Sequence, residues 1–384
     1  MWTYLWDIVD EGYENVLGRL KDNKLTSVSL ATAYHAGKFL APHNPKEKVV
    51  FLEDGTVYFQ PTSSLYHRIQ PRVNSLVNRG EGLEKLRSLA EHRGLETRAW
   101  VVCCHNTPLG MQYPDIACRD VFGDAIYHNL CPSNPDVRSY LGSLVKDIAS
   151  KGVTVIELEA MQFQGYTHGF HHEREGIPLA PVIRYLLGLC FCPSCVHRAA
   201  EVHYSLNDVE QFARKTLETY FANPRPEEES LLSIERLPDD LFAPFHAWRK
   251  SVVTSLAQEL VVSVEGTSAR LRPLVSLDAT ARTMVAMDPA SVASITGGIL
   301  VPGYVKDGEA LRKPLQTLQT EAGKHPITVG FQVGLPGSGG EPEFLSRMDT
   351  AWSMGIRNFN YYNYGLIPLR NLGWIKESLA VHSD

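Results

Sequence analysis

The sequence predicts an α/β fold, a (β/α)8 TIM barrel with a long insertion after the fourth strand. Three observations predict it. Short apolar runs rich in β-branched and aromatic residues recur eight times along the 384 residues. Amphipathic stretches of helical period separate them. No G-x-G-x-x-G follows the first run, which disfavours an open, doubly wound nucleotide-binding sheet.

The eight runs are Thr3–Val9, Ser27–His35, Thr97–His105, Val153–Met161, Pro273–Ala279, Ile295–Tyr304, Ile327–Leu335 and Ile356–Tyr364. Several are almost continuously apolar, as strands covered on both faces require. Helical patterns lie over Gly12–Leu20, Gly82–His92, Asp136–Ser150, Leu241–Val262, Gly308–Ala322, Pro342–Met354 and Leu369–Ala380. Asn134 followed by Pro135 is a helix start, with a side-chain cap and a preset first φ. Val49–Leu52 and Val57–Gln60 flank Gly55 and read as a β-hairpin. The whole of 1–384 reads as one barrel domain, and 162–240 as an inserted loop and helical region.

Lys plus Arg number 37 against 43 Asp plus Glu, a net charge of −6. A mildly acidic chain is a poor nucleic-acid partner by bulk charge. No run approaches the roughly 18 apolar residues of a membrane span. The first residues carry no basic segment followed by an apolar one, so a cytoplasmic location is expected. Self-association into a homo-oligomer is compatible with the composition.

Seven cysteines are present, three of them in Cys190-Phe191-Cys192-Pro193-Ser194-Cys195. Three thiols so close suit tetrahedral zinc, which needs a fourth soft or borderline ligand. Cys131, just past the third strand, is on a neighbouring rim loop; His197 and His203 are alternatives. The plainer reading is reduced, buried thiols or one incidental disulfide. Cys103 and Cys104 read as core residues within strand three.

The cysteine run, with Phe122-Gly123 and Cys131-Pro132-Ser133-Asn134-Pro135-Asp136-Val137-Arg138-Ser139-Tyr140 before it, resembles the glycoside hydrolase family 42 β-galactosidases. The likeness covers about a fifth of the chain. It implies a clan A barrel, a glycosidase-like hydrolase activity on a carbohydrate or glycoside, and a structural zinc held by Cys131, Cys190, Cys192 and Cys195. The family's Asn-Glu acid/base pair has no counterpart at Ala160-Met161. Gln332 stands where its strand-seven nucleophile would be.

Strand four reads Val153-Thr154-Val155-Ile156-Glu157-Leu158-Glu159-Ala160-Met161. Period two puts Glu157 and Glu159 on one face, at the end where barrel enzymes hold their chemistry. A structural ion pair or polar network is the alternative to catalysis. Glu159 is the expected general acid/base, Glu157 its modulator and Asp278 the second carboxylate. Asp7, Tyr34, His35, His105, Asn106, Tyr304, Gln332, Tyr362 and Asn363 are the expected substrate contacts. A one-residue phase difference in strand eight would bring in Asn360 for Asn363. The rim so lined would take a small-molecule or oligosaccharide substrate. A non-hydrolytic carbohydrate-binding barrel, or a sugar lyase or isomerase using the His168–Glu173 loop, are the other readings.

Overall fold

The computed structural model describes residues 1–166, 172–224 and 234–382. Its architecture is mixed α/β and TIM-barrel-like. Eight short parallel strands follow one another in chain order: β1 Trp2–Thr3, β2 Ser27–Tyr34, β3 Glu96–Val102, β4 Val155–Glu159, β5 Arg270–Pro273, β6 Ile299–Pro302, β7 Ile327–Gln332 and β8 Asn358–Tyr362. Parallel ladders join β1 through β5 in order. A second set joins β6, β7 and β8. A single parallel bridge between Leu274 and Leu300, with the Val275 amide bonded to the Leu300 carbonyl at 2.8 Å, links the two sets.

Strand β1 meets β8 through side chains. The Trp2 indole lies against Gly330 of β7, where a β-carbon would come within 2.6 Å of the ring. It also packs edge-on to Tyr362 of β8, with ring centroids 5.9 Å apart. Glu157 of β4, fully buried, accepts hydrogen bonds from Trp2 Nε1 (2.6 Å), Ser29 Oγ (2.7 Å) and Asn360 Nδ2 (2.9 Å). One carboxylate therefore ties β1, β2, β4 and β8 together. Burial raises its pKa, while Arg98 and the hydroxyl and indole donors oppose that shift.

The expected helices form with near-identical limits. Asn134 accepts from the amides of Asp136 and Val137 and starts a helix over Pro135–Ser150. That helix packs on a second, Asp239–Ser263. Buried Arg138 grips Glu259 across the pair with two bonds, at 2.8 and 2.7 Å. Between β4 and the second helix, the described part of the insertion contains helices Pro181–Leu187, Pro193–Glu201 and Asn207–Ala222.

Four expectations are corrected. The run Thr3–Val9 is strand only at its start; Leu5–Glu11 is a helix, because a short buried apolar run satisfies either element. Pro273–Ala279 is mostly past its strand, and Asp278 caps a helix over Ala279–Val285. Ile295 belongs to the helix Pro289–Thr296 rather than to β6. Val49–Phe51 pairs antiparallel with Lys38–Leu40, not with the segment after Gly55. Thr56–Val57 instead pairs with β2.

Glu157→Ala leaves an indole N–H, a hydroxyl and an amide without their acceptor. A loss of about 3 kcal/mol in urea unfolding is expected, from about 1 kcal/mol per orphaned donor. Glu157→Gln keeps one acceptor oxygen and loses less. Equal midpoints for wild type and Glu157→Ala would contradict this role.

Candidate functional site

Above Glu157, one inward step along β4, lies Glu159. Its Oε2 accepts from Trp100 Nε1 at 2.5 Å. Trp100 comes from β3, registered beside Glu157. Around Trp100 the strand ends bring aromatic rings together. Tyr34 meets it edge-on at 4.9 Å and Tyr362 at 5.9 Å; Tyr4 tilts against it at 5.8 Å. Tyr4 stacks on Trp6 at 4.4 Å. The Tyr4 hydroxyl shares hydrogen bonds with those of Tyr34 (3.2 Å) and Tyr362 (3.1 Å). The floor of the rim is thus a bonded aromatic sheet with one carboxylate standing in it.

Burial raises the pKa of Glu159, while the nearby His35 and the Trp100 hydrogen bond favour its ionised form. A 420 Å³ cavity opens beside it, lined among others by His105, Glu159, Gln162, Gln164, Asp278 and Tyr304. His35 stacks on Tyr34 at 4.3 Å and on His105 at 4.5 Å. His105 in turn meets His128 edge-on at 5.9 Å. Burial lowers the His128 pKa, which favours the neutral ring.

The remaining predicted residues divide. Tyr304 is 42% exposed in the cavity wall and packs on Tyr362. Gln332 ends β7, half-buried. Asp278 lines the same cavity as Glu159 but is exposed, and its carboxylate caps a helix through the Ala281 amide at 2.9 Å. Asn106 is a buried helix cap, bonded to the Leu109 amide and donating to the Gly55 carbonyl. Asn363 is buried, with Oδ1 accepting from the Gly365 amide. Asn360 turns inward to Glu157 instead. His168 and His171 lie outside the described residues; His172 and Glu173 are described.

Asp7 sits on the helix after β1, fully buried, and neither carboxylate oxygen has a hydrogen-bond partner among the described residues. Gly365 packs directly on that carboxyl, in space a β-carbon would occupy. Burial, then the neighbouring Glu11, push its pKa well above the usual carboxylate range.

Four buried cysteines converge between the segment after β3 and the insertion after β4. A hairpin of Ala117–Arg119 and Ala125–Leu130 delivers Cys131. Pro193 opens a helix directly after Cys192 and places Cys195 in its first turn. The Sγ of Cys131 lies 3.5 Å from Cys195, 3.5 Å from Cys192 and 3.9 Å from Cys190. All four sulfurs are buried and lie within 4.8 Å of one another. Tetrahedral Zn–S bonds of about 2.3 Å set sulfurs roughly 3.8 Å apart, so this buried cluster can hold a metal ion. Cys118, which sequence reasoning passed over, is a buried neighbour of Cys131 and Cys190. Cys103 and Cys104 are buried core thiols, as expected.

Trp2, Tyr4, Trp100 and His128 were absent from the expected site. Trp100 alone carried a usable signal: it lies on strand three at an even spacing from Val102, the face that β4 presents Glu157 and Glu159 to.

No protein-family model matches the sequence, and no curated protein does. Solved structures of several glycoside hydrolases share the fold. The glycoside hydrolase domain of PgaB (BpsB) from Bordetella bronchiseptica matches with TM-score 0.59 and 11% identity, over 99% of this chain and 96% of that one. A β-galactosidase from the psychrophilic Marinomonas ef1 matches with TM-score 0.60 and 9% identity, over 99% of this chain and 59% of its own. A β-galactosidase from Rahnella sp. R3 gives 0.58 and 12%, over 99% and 55%. The chain therefore spans somewhat over half the length of the β-galactosidases it resembles.

Two outcomes follow from the carboxyl environments. Trp100→Phe removes a donor that favours ionised Glu159, so its pKa should rise further in a carboxyl-resolved 13C titration; an unchanged or lower value would refute the Trp100 contact. Asp7 has a raised folded pKa, so the folded state holds its proton more tightly than the unfolded one. Stability falls as pH rises from the unfolded value of about 3.9 toward the folded one. Asp7→Asn should therefore melt higher than wild type at pH 8, with the gap closing near pH 4.

Proposed function

We propose that this chain is a glycosidase-like hydrolase built on one closed (β/α)8 barrel domain with the 162–240 region inserted after strand four. The observation that carries the reading is Glu159, a half-buried carboxyl of raised pKa held on an indole N–H at 2.5 Å among packed aromatic rings. Sugars present apolar ring faces and a fringe of hydroxyls. The accessible rings of Tyr304 and Tyr362, packed against buried Trp100 and Tyr34, suit the first, and His35, His105 and Gln332 the second. Likeness of fold to glycoside hydrolases is in keeping with it.

In this proposal Glu159 gives its proton to the leaving glycosidic oxygen. Asp278, on the wall of the same cavity, is the second carboxylate and draws a proton from the attacking water. Inversion at the sugar carbon is the expected stereochemistry, because the strand-seven position holds Gln332 and offers no nucleophile. Glu157, with its three donors, positions β4 beneath Glu159. Asn106, Asn363 and Asp7 are enclosed and shape the rim from behind. A carbohydrate-binding barrel without hydrolysis is the second reading, favoured by the cap role and exposure of Asp278.

The metal in this reading is zinc, held by Cys131, Cys190, Cys192 and Cys195. Four thiolates leave no open position, so it is structural. It would fasten the insertion to the hairpin after β3, where the Phe191 amide already bonds the Arg119 carbonyl at 2.8 Å.

Three measurements test these proposals. In a screen of aryl glycosides, Glu159→Gln and Asp278→Asn should each lower kcat by about 100-fold or more with the fold intact; full activity in either removes that residue from the reaction. An acid with raised pKa works while protonated, so kcat/KM should fall with rising pH along a limb placed above the ordinary value of about 4.3. Metal analysis should find one zinc per chain, and Cys192→Ser should lose it and lower the melting temperature. A metal-free wild type of equal stability would contradict the zinc assignment.

A further inference from the structure

A second cavity, of 510 Å³, lies beside the Glu159 cavity. Tyr127, His128, Tyr166, Asp120, Asp124 and Glu173 are among its lining residues. The two cavities share a wall. His105 lines the first and His128 the second, and their rings meet edge-on. Gln164 lines the first and Tyr166, two residues on, the second. The strand Ala125–Leu130 that forms this wall is pinned on both sides. Its Asn129 pairs with His105, the Asn106 amide bonds the His128 carbonyl at 3.1 Å, and Asn129 Nδ2 donates to the Gly165 carbonyl at 2.6 Å.

We propose that the second cavity is a further sugar subsite, so that the rim takes an extended, non-acidic oligosaccharide rather than a single sugar unit. The inference rests on the carbohydrate reading of the Glu159 cavity and deepens it. Tyr127, 40% exposed on the fixed strand, and half-buried Tyr166 both line this cavity and supply the aromatic surface on which a sugar ring packs. The charge of the walls selects among sugars. Among the described residues six carboxylates line the two cavities, Glu159 and Asp278 in one and Asp120, Asp124, Glu173 and Glu175 in the other, against one guanidinium, that of Arg174. Glu175 is itself paired with Arg184. Asp120 is fixed by the amides of Phe122 and Asp124, both at 2.9 Å. An acidic sugar would meet like charge from Asp278, Asp120, Asp124 and Glu173.

The experiment is retention of Glu159→Gln on an array of neutral, amino and acidic glycans of one to six units. Retention of neutral or amino glycans should rise roughly ten-fold from one unit to four, and acidic glycans of equal length should not be held. Tyr127→Ala should bring the long glycans down to the level of the short ones, and Tyr127→Phe, which keeps the ring, should restore them. Retention independent of length, or strongest for acidic glycans, overturns the second subsite alone. Retention of no glycan at all overturns the carbohydrate reading beneath it.

Discussion

One buried carboxylate organises this molecule. Glu157, fully buried on β4, accepts from an indole on β1, a hydroxyl on β2 and an amide on β8. An ionised carboxylate is costly to bury, and it persists where donors satisfy its oxygens. The seam between β1 and β8 is where it matters most, since the contacts described there are made by side chains: Trp2 on Tyr362 and the Tyr4 and Tyr362 hydroxyls. Trp2 fits only because β7 carries Gly330 at its level.

The rim inherits its geometry from that centre. β4 runs in register between β3 and β5, so fixing Glu157 also fixes Glu159, two residues on. Trp100 is opposite Glu157 in the ladder and reaches up to Glu159. The lower carboxylate is saturated with donors and serves packing. The upper one has a single described donor, a raised pKa and a cavity beside it. Two glutamates of one strand face thus differ in role through their surroundings.

Much of this was legible in the sequence where the signal is local. The helix Gly308–Ala322 matches residue for residue because Asp307 caps it and apolar residues repeat along one face. The cysteines could be grouped because C-x-C-x-x-C is a short-range pattern. Thr3–Val9 reads as strand although Leu5–Glu11 is helical, because burial of every residue through Ile8 erases periodicity. Asp278 looked like a strand-end carboxylate because its helix begins one residue later. Trp2 and His128 act through partners far away in sequence, and no spacing rule announces such contacts; for Trp100 the strand period gives the face but not the partner.

The most direct measurement is the dependence of kcat/KM on the leaving group, for wild type and Glu159→Gln, across a series of aryl glycosides. If Glu159 protonates the departing oxygen, wild type should depend weakly on leaving-group basicity. Glu159→Gln should then depend on it steeply, with near-normal rates only for the most acidic phenols. Parallel dependences in the two proteins would contradict the role given to Glu159.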